Sequence, residues 1–241
     1  MLTYDSAVID ASNLLWRCFI SCETSEQTTR ISSLTVSKFL ARTRHKLLHS
    51  TSNILFCFDN PLSGVRKRKA LDPAYKSHRE HAPSEFFAAC ETFRASCGAQ
   101  ALYVSGHEAD DLLEIALARC RRPAVVISAD LDWSRVISHG VHWYDWSRVW
   151  TPESFESRYG FAPQHVTIWK SFRGDRSDGI PPGWPRMKSS LLADMLKQNN
   201  DLNSCFEWLC AQGHQQELLQ HRARIDLNYA LISASPPENF H

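Results

Sequence analysis

AVVISADLD, residues 124–132, sets four apolar residues in an unbroken run and then two aspartates, Asp130 and Asp132, two positions apart. A short continuous apolar run rich in valine and isoleucine reads as a central strand covered on both faces. The same shape recurs along the chain. Ala7–Ile9 ends on Asp10, NILFCF (53–58) ends on Asp59, and Ala101–Val104 leads to Glu108, Asp110 and Asp111. Apolar residues at helical spacing fill the intervals at 33–48, 84–97 and 109–120. This alternation predicts an α/β fold, a mostly parallel central sheet flanked by helices, with right-handed crossovers. Such sheets bind ligands beyond the carboxyl ends of their strands. Every apolar run here delivers an acid to that end.

The pattern changes after residue 144. WYDWSRVW (143–150) reads as a small edge hairpin, and prolines open helices at 152–159 and 163–172. A loop over 173–185 follows, then helices at 187–197, 202–211 and 214–227. The polar segment 21–33 reads as a loop and the tail from Ser235 as frayed. Two parts are expected, an α/β core (1–150) and a helical element (151–241) packed on it as one continuous unit. The chain has 241 residues with 43% hydrophobic types, which excludes a disordered or collagen-like state. No apolar run approaches the ~20 residues of a membrane span, and the first residues do not pattern as a signal peptide. Eight cysteines without a CxxC and eleven histidines without an HExxH argue against zinc, and the thiols fit a cytoplasmic protein.

Nine acids carry the functional reading: Asp10, Asp59, Glu108, Asp110, Asp111, Asp130, Asp132, Asp175 and Asp178. Carboxylates gathered in one cleft repel each other, and desolvation sharpens the repulsion, so cations must stand between them. Oxygen-only ligation selects Mg²⁺ or Mn²⁺. Two such ions ~4 Å apart suit a phosphodiester. The chain is formally at +1, with 27 basic and 26 acidic residues, so without these nine acids it stands at +10. Much of that excess lies in Arg66, Lys67, Arg68, Lys69, Lys76 and Arg79, a positive rim suited to a phosphate backbone. Tyr75, and more weakly Trp184, are placed to stack on a base. Taken singly each feature has a plain structural reading. Glu108–Asp111 is a helix cap, and the basic run a solvated face. Their joint order points to phosphodiester chemistry.

That order resembles the 5′-nuclease family of phage 5′→3′ exonucleases, the N-terminal nuclease domain of DNA polymerase I and flap endonucleases. The matching pieces are VIDASN (8–13), FDN (58–60), DPAYKSHR (72–79), HEADDLLEIAL (107–117), VISADLD (126–132), and YGF-P (159–163) leading to FRGDRSDGIP (172–181). The resemblance implies a PIN-like fold with a C-terminal helix–three-turn–helix that grips duplex DNA. It implies Asp10, Asp59, Glu108 and Asp110 around a first ion, and Asp130, Asp132 and Asp175 around a second. Asp111 and Asp178 would act through water or support a third ion. Lys76 and Arg79 would contact the scissile phosphate, Tyr75 would pack near the terminal nucleotide, and Lys188 with Ser189 would meet the DNA backbone. The activity implied is metal-dependent 5′–3′ exonuclease or structure-specific cleavage near DNA 5′ ends, including 5′ flaps, with 5′-phosphate products.

Three departures qualify the match. Pro182-Gly183-Trp184-Pro185 retains one glycine of a glycine-rich loop, which argues against a K⁺ site there. The family's common Asp-Lys-Asp reads Asp130-Leu131-Asp132, so a lysine beside the ions is missing. Only 33 positions separate Tyr75 from Glu108, too few for a large enclosing arch, and an open gateway for 5′ ends is expected. The competing readings are a ribonuclease acting on RNA–DNA hybrids and a non-catalytic DNA-binding module. A monomer is expected, working beside a separate polymerase in the cytoplasm of a bacterial or phage-infected cell.

Overall fold

The computed structural model describes residues 3–20, 37, 41, 47–60, 64–79 and 82–237. β1 (Tyr4–Asp10), β2 (Leu48–Cys57), β3 (Ala101–Leu102), β4 (Ala124–Ile127), β5 (Val141–Tyr144) and β6 (Val149–Trp150) form one sheet in the order β3-β2-β1-β4-β5-β6. All neighbours are parallel except β5 and β6. The chain builds β1, β2 and β3 outward to one side, then crosses back to lay β4 on the other side of β1. The switch point beside β1 therefore opens between strand ends carrying Asp10 and the Ser128–Asp132 segment.

Both sheet faces are buried, as the unbroken apolar runs require. Side chains alternate between two cores. Val8, Leu55, Cys57, Ala124 and Val126 face one, and Ala7, Ile9, Ile54, Phe56, Val125 and Ile127 face the other. α1 (Ala11–Ile20) and α3 (Ser84–Cys97) cover the second face. There Phe86 meets Trp16 and Phe19, and Phe56 meets Phe93. The first face is larger. It runs without a break from Val8 through α4 (Leu113–Ala118) into α5 (Pro152–Tyr159), α6 (Val166–Arg173), α7 (Ser189–Gln198), α8 (Leu202–Ala211) and α9 (Gln215–Ile232). Trp133, Phe155, Phe161 and Phe172 lie fully buried within it. No helix of the described residues is long and apolar enough to cross a membrane.

Several local expectations take a different form. The stretch after Glu108 opens with a 3₁₀ turn (Ala109–Leu112), set by a reciprocal Glu108–Asp111 cap, before α4 begins. Residues 163–165 are likewise a 3₁₀ turn leading into α6. The edge hairpin owes its turn to Asp145, whose Oδ1 accepts from the Ser147 and Arg148 amides while Oδ2 accepts from Trp150 Nε1. The helix expected over 33–48 and the loop at 21–33 lie outside the described residues, apart from positions 37, 41, 47 and 48. Trp184 is a core residue, tilted against His221, and is not presented for stacking on a base.

Gly183, the one retained glycine of its loop, is needed for close approach. A Cβ there would lie 2.2 Å from the Ser171 carbonyl oxygen and 2.9 Å from Ile225 Cγ1. Asn228 ties the same corner, its Nδ2 donating to the Ser171 and Pro181 carbonyls at 3.0 and 2.8 Å. Gly183→Ala is expected to destabilise the fold by about 1–3 kcal/mol, as overpacking does. Urea unfolding checks this, and an unchanged midpoint would show that α9 yields freely.

Candidate active site

A cleft of about 860 Å³ lies over the carboxyl ends of β1, β2 and β4, lined by Asp10, Asp59, Glu108, Asp110, Asp130, Asp132 and Asp178. Asp10 ends β1 and is fixed at one oxygen by the Asn13 amide (2.9 Å) and at the other by Ser128 Oγ (2.7 Å). Asp59 follows β2 and accepts from the Ala109 amide at 2.8 Å. Burial, then mutual repulsion, dominates the protonation of these groups. Asp10 is pushed up to about 8 by desolvation and by Asp59. Asp59 is raised by desolvation and by Glu108.

Basic residues enter the cleft as counter-ions. Arg68, from α2 (Arg66–Leu71), is buried and pairs with Glu108, Asp110 at 3.1 Å and Asp111 at 2.9 Å, while its Nε donates to the Leu231 carbonyl at 2.9 Å. Lys76 reaches Glu108 at 2.5 Å from a backbone with φ of 53°, a left-handed turn held by its amide on the Asp178 carbonyl. Burial alone would raise the Glu108 carboxyl, but Lys76 and Arg68 outweigh it and hold that carboxyl below its usual range. Asp110 stays raised, to about 6, because desolvation exceeds the pull of Arg68. Arg79 pairs with Asp178 at the exposed rim.

Across the cleft, Lys170 of α6 is buried with Nζ 2.6 Å from Asp132 Oδ1, 2.7 Å from Asp175 Oδ2 and 3.7 Å from Asp130 Oδ1. Burial pulls the ammonium toward the neutral form, but Asp132, Asp130 and Asp175 together raise its pKa. Asp132 is still pushed up to about 7, by burial and by neighbouring Asp130. In Asp175, Lys170 overcomes burial and lowers the pKa, and Ser177 holds the second oxygen through its amide at 2.8 Å.

Seven of the nine acids line the cleft. The other two stand behind it. Asp111 caps the 3₁₀ turn by accepting from the Glu108 amide at 2.9 Å and also accepts from the Ser235 amide at 2.8 Å. Asp175 sits beyond Lys170. Among the basic residues, Arg66, Lys67 and Lys69 are exposed as the rim reading requires, but Arg68 is not a DNA-facing residue. Its helix turns it inward, where three carboxylates and a carbonyl fix it. Tyr75 is also corrected. It is 3% exposed, and its hydroxyl lies 3.1 Å from both Glu108 and Asp178, so its ring is not free to stack on a base. Lys188 is exposed, and the Ser189 hydroxyl accepts from Arg173 at 2.8 Å.

Sequence reasoning missed Lys170. Leu131 does leave the Asp130–Asp132 pair without a lysine of its own and packs on the larger core. A lysine nonetheless stands between those acids, supplied by another element. Its signal was a lysine four positions after Val166 on the buried side of α6, where an apolar residue belongs. Arg135 was also missed. It donates to the Asp110 carbonyl at 2.7 Å and the Asp132 carbonyl at 2.9 Å, bracing two acid-bearing segments against each other.

The donor set fits hard divalent ions. The acids that line the cleft offer carboxylate oxygens, with no histidine or cysteine among the lining residues, and Asp132 Oδ1 is buried without a well-directed hydrogen bond. Among the described residues, no three acids are already drawn around a common point as in a loaded metal centre. The ammonium and guanidinium groups stand in the intervals instead.

The family model of the 5′-3′ exonuclease N-terminal resolvase-like domain matches residues 5–160. A 5′-3′ exonuclease from Buchnera aphidicola subsp. Schizaphis graminum is 23% identical over 83% of this chain and 72% of its own length. The flap endonuclease Xni of Edwardsiella ictaluri is 26% identical over 78% of each. The fold is shared with the T5 D15 protein co-crystallized with metal ions, at a TM-score of 0.72 and 17% identity, over 94% of this chain and 88% of that one.

The raised carboxyls carry a pH signature. Asp10, Asp132 and Asp110 keep protons in the folded, ion-free protein at pH values where the unfolded chain has lost them. Their stabilisation is complete below ~4 and is lost as the pH rises through about 6 to 8. In EDTA, the urea midpoint is therefore expected to fall between pH 5 and pH 8, and Asp10→Asn to flatten that fall. A level profile would mean that the acids are not crowded.

Proposed function

The chain belongs to the 5′-3′ exonuclease family, and from that premise we propose that it is a structure-specific 5′ nuclease. It would hydrolyse phosphodiesters near DNA 5′ ends, at duplex ends or short flaps. The observation that carries this reading is the cleft itself, whose wall is made of carboxylates and whose mouth carries Lys76 and Arg79. Acids alone would repel a phosphate, so the activity depends on divalent metal.

We propose Mg²⁺ or Mn²⁺, with Asp10, Asp59, Glu108 and Asp110 as one ligand group and Asp130, Asp132 and Asp175 as a second. Divalent ions held by these residues would supply Lewis acidity toward the phosphate and toward an attacking water. The chain's own residues do the remainder. Arg68 keeps Glu108 and Asp110 oriented by gripping both. Lys76 is half-buried, held in its strained turn, and close enough to the acids to meet a phosphate drawn among them. Its ammonium would release Glu108 and neutralise charge building on the phosphoryl oxygens. Arg79, exposed beside it, would clamp the adjoining phosphate. Arg66, Lys67 and Lys69 would steer the backbone, and the helical part from residue 151 would hold the duplex through Lys188 and the loop before α7. DNA is the partner this arrangement supports, with a separate polymerase as the natural co-worker.

A 5′-labelled duplex with a short flap, incubated with Mg²⁺ or EDTA, tests the reading. Short products from the 5′ end with Mg²⁺ alone are expected, and binding without cleavage in Mg²⁺ or Mn²⁺ would overturn it. Lys76→Ala is expected to lower kcat by about 10²-fold while duplex affinity changes little. A loss confined to binding would remove Lys76 from the chemistry.

A further inference from the structure

Lys170 is a buried basic group beside the cleft whose position no part of the proposed chemistry uses. Its surroundings differ from those of the two arginines, and it is more deeply buried than Lys76. Arg68 is anchored outside the acids by the Leu231 carbonyl, and Arg79 by the Ser177 carbonyl at 3.0 Å. The ion pairs of Lys170 are with Asp130, Asp132 and Asp175 alone.

The oxygens it occupies are the ones an ion would need. Asp175 has Oδ1 committed to Ser177 and turns Oδ2 to Nζ. Asp130 has Oδ1 committed to the Asp132 amide at 3.0 Å, and that same oxygen lies 3.7 Å from Nζ. Asp132 turns Oδ1 to Nζ at 2.6 Å, yet that oxygen, buried, receives no well-directed hydrogen bond. Three carboxylates and one ammonium leave this group two negative charges, the charge of a single divalent ion.

We propose that Lys170 is a resident counter-cation that competes with a divalent ion for the distal carboxylates and so sets how weakly this group takes up its ion. It is a positioning residue, acting on ligand groups rather than on substrate. The inference rests on the nuclease reading for the presence of metal, and concerns the occupancy of one group within it. A buried ammonium placed among the acids lowers the charge that attracts the ion, and it must withdraw, or share the carboxylates, when the ion enters. The group of Asp130, Asp132 and Asp175 is thereby kept from being locked by metal in the absence of substrate, while part of its buried charge stays paired.

The test reads metal directly. Free Mn²⁺ is followed by electron paramagnetic resonance as the protein is titrated with Mn²⁺ without DNA. The wild-type protein is expected to bind one ion, and a second about tenfold more weakly or worse. Lys170→Met is expected to tighten the second ion by about tenfold and leave the first within about twofold, while Lys170→Arg keeps the second weak. Lys170→Gln removes the charge with a polar side chain and must behave as Met does, which guards against a packing defect in either variant. Second-ion affinity unchanged in both neutral variants overturns the role of Lys170 and leaves the nuclease reading standing. Absence of Mn²⁺ uptake by the wild-type protein and both neutral variants overturns the nuclease reading and this inference together.

Discussion

Carboxylate repulsion is the constraint on which the rest of this structure depends. Nine acids gather at one end of a sheet, seven of them lining the cleft and two behind it, and burial there raises the free energy of the ionised groups. Four basic side chains enter among them: Arg68, Lys76, Arg79 and Lys170. Nine negative charges against four positive ones leave an excess of five. The raised protonation of Asp10, Asp110 and Asp132 is the folded chain's answer to that excess. Two divalent ions would bring the group to a single net negative charge, and a docked phosphate would then meet a nearly neutral pit beside a basic rim.

Neutralising the acids also welds distant parts of the chain together. Arg68 joins α2 to the 3₁₀ turn after Glu108 and to the end of α9 through the Leu231 carbonyl. The Ser235 amide returns to Asp111, so the turn that presents Glu108 and Asp110 is held from the carboxyl-terminal side. Lys170 joins α6 to the segment after β4, and Arg135 ties that segment to Asp110. Tyr75, Ile180, Leu231 and Ile232 close a small apolar cluster beneath the same corner. The helical part is thus coupled to the acid site by charge and hydrogen bonding as well as by the core it shares with the sheet.

The sheet was legible because its grammar is local. Unbroken apolar runs with period-2 partition between two cores marked β1, β2 and β4, and each acid followed its strand within a few residues. The acids were legible as a set because repulsion makes their coincidence uninformative unless cations are involved. Side-chain direction was less accessible. In α2, Arg66, Lys67 and Lys69 face solvent while Arg68 turns inward, and a run of four basic residues carries no sign of which one will be buried. Tyr75 read as an aromatic offered to a base, yet its hydroxyl serves Glu108 and Asp178. Both errors share one cause: a polar group's partner across 33 or more residues is fixed by tertiary placement, which no spacing rule encodes.

Lys170 shows the same limit from the other side. A lysine at a core position of an amphipathic helix violates the local pattern, and such violations mark places where charge elsewhere supplies the compensation. Residue 131 is a leucine, and the lysine that reaches the neighbouring acids is residue 170. The loop after β4 carries an apolar side chain into the core at Leu131, and the positive charge comes instead from α6, five residues before Asp175. The helix that carries Lys170 is packed into the larger core through Val166, Ile168 and Phe172, so the base of the side chain is fixed while its flexible stem lets the ammonium shift. The positive charge thus reaches Asp130, Asp132 and Asp175 from α6, which ties the electrostatics of these acids to the packing of the helical part against the sheet.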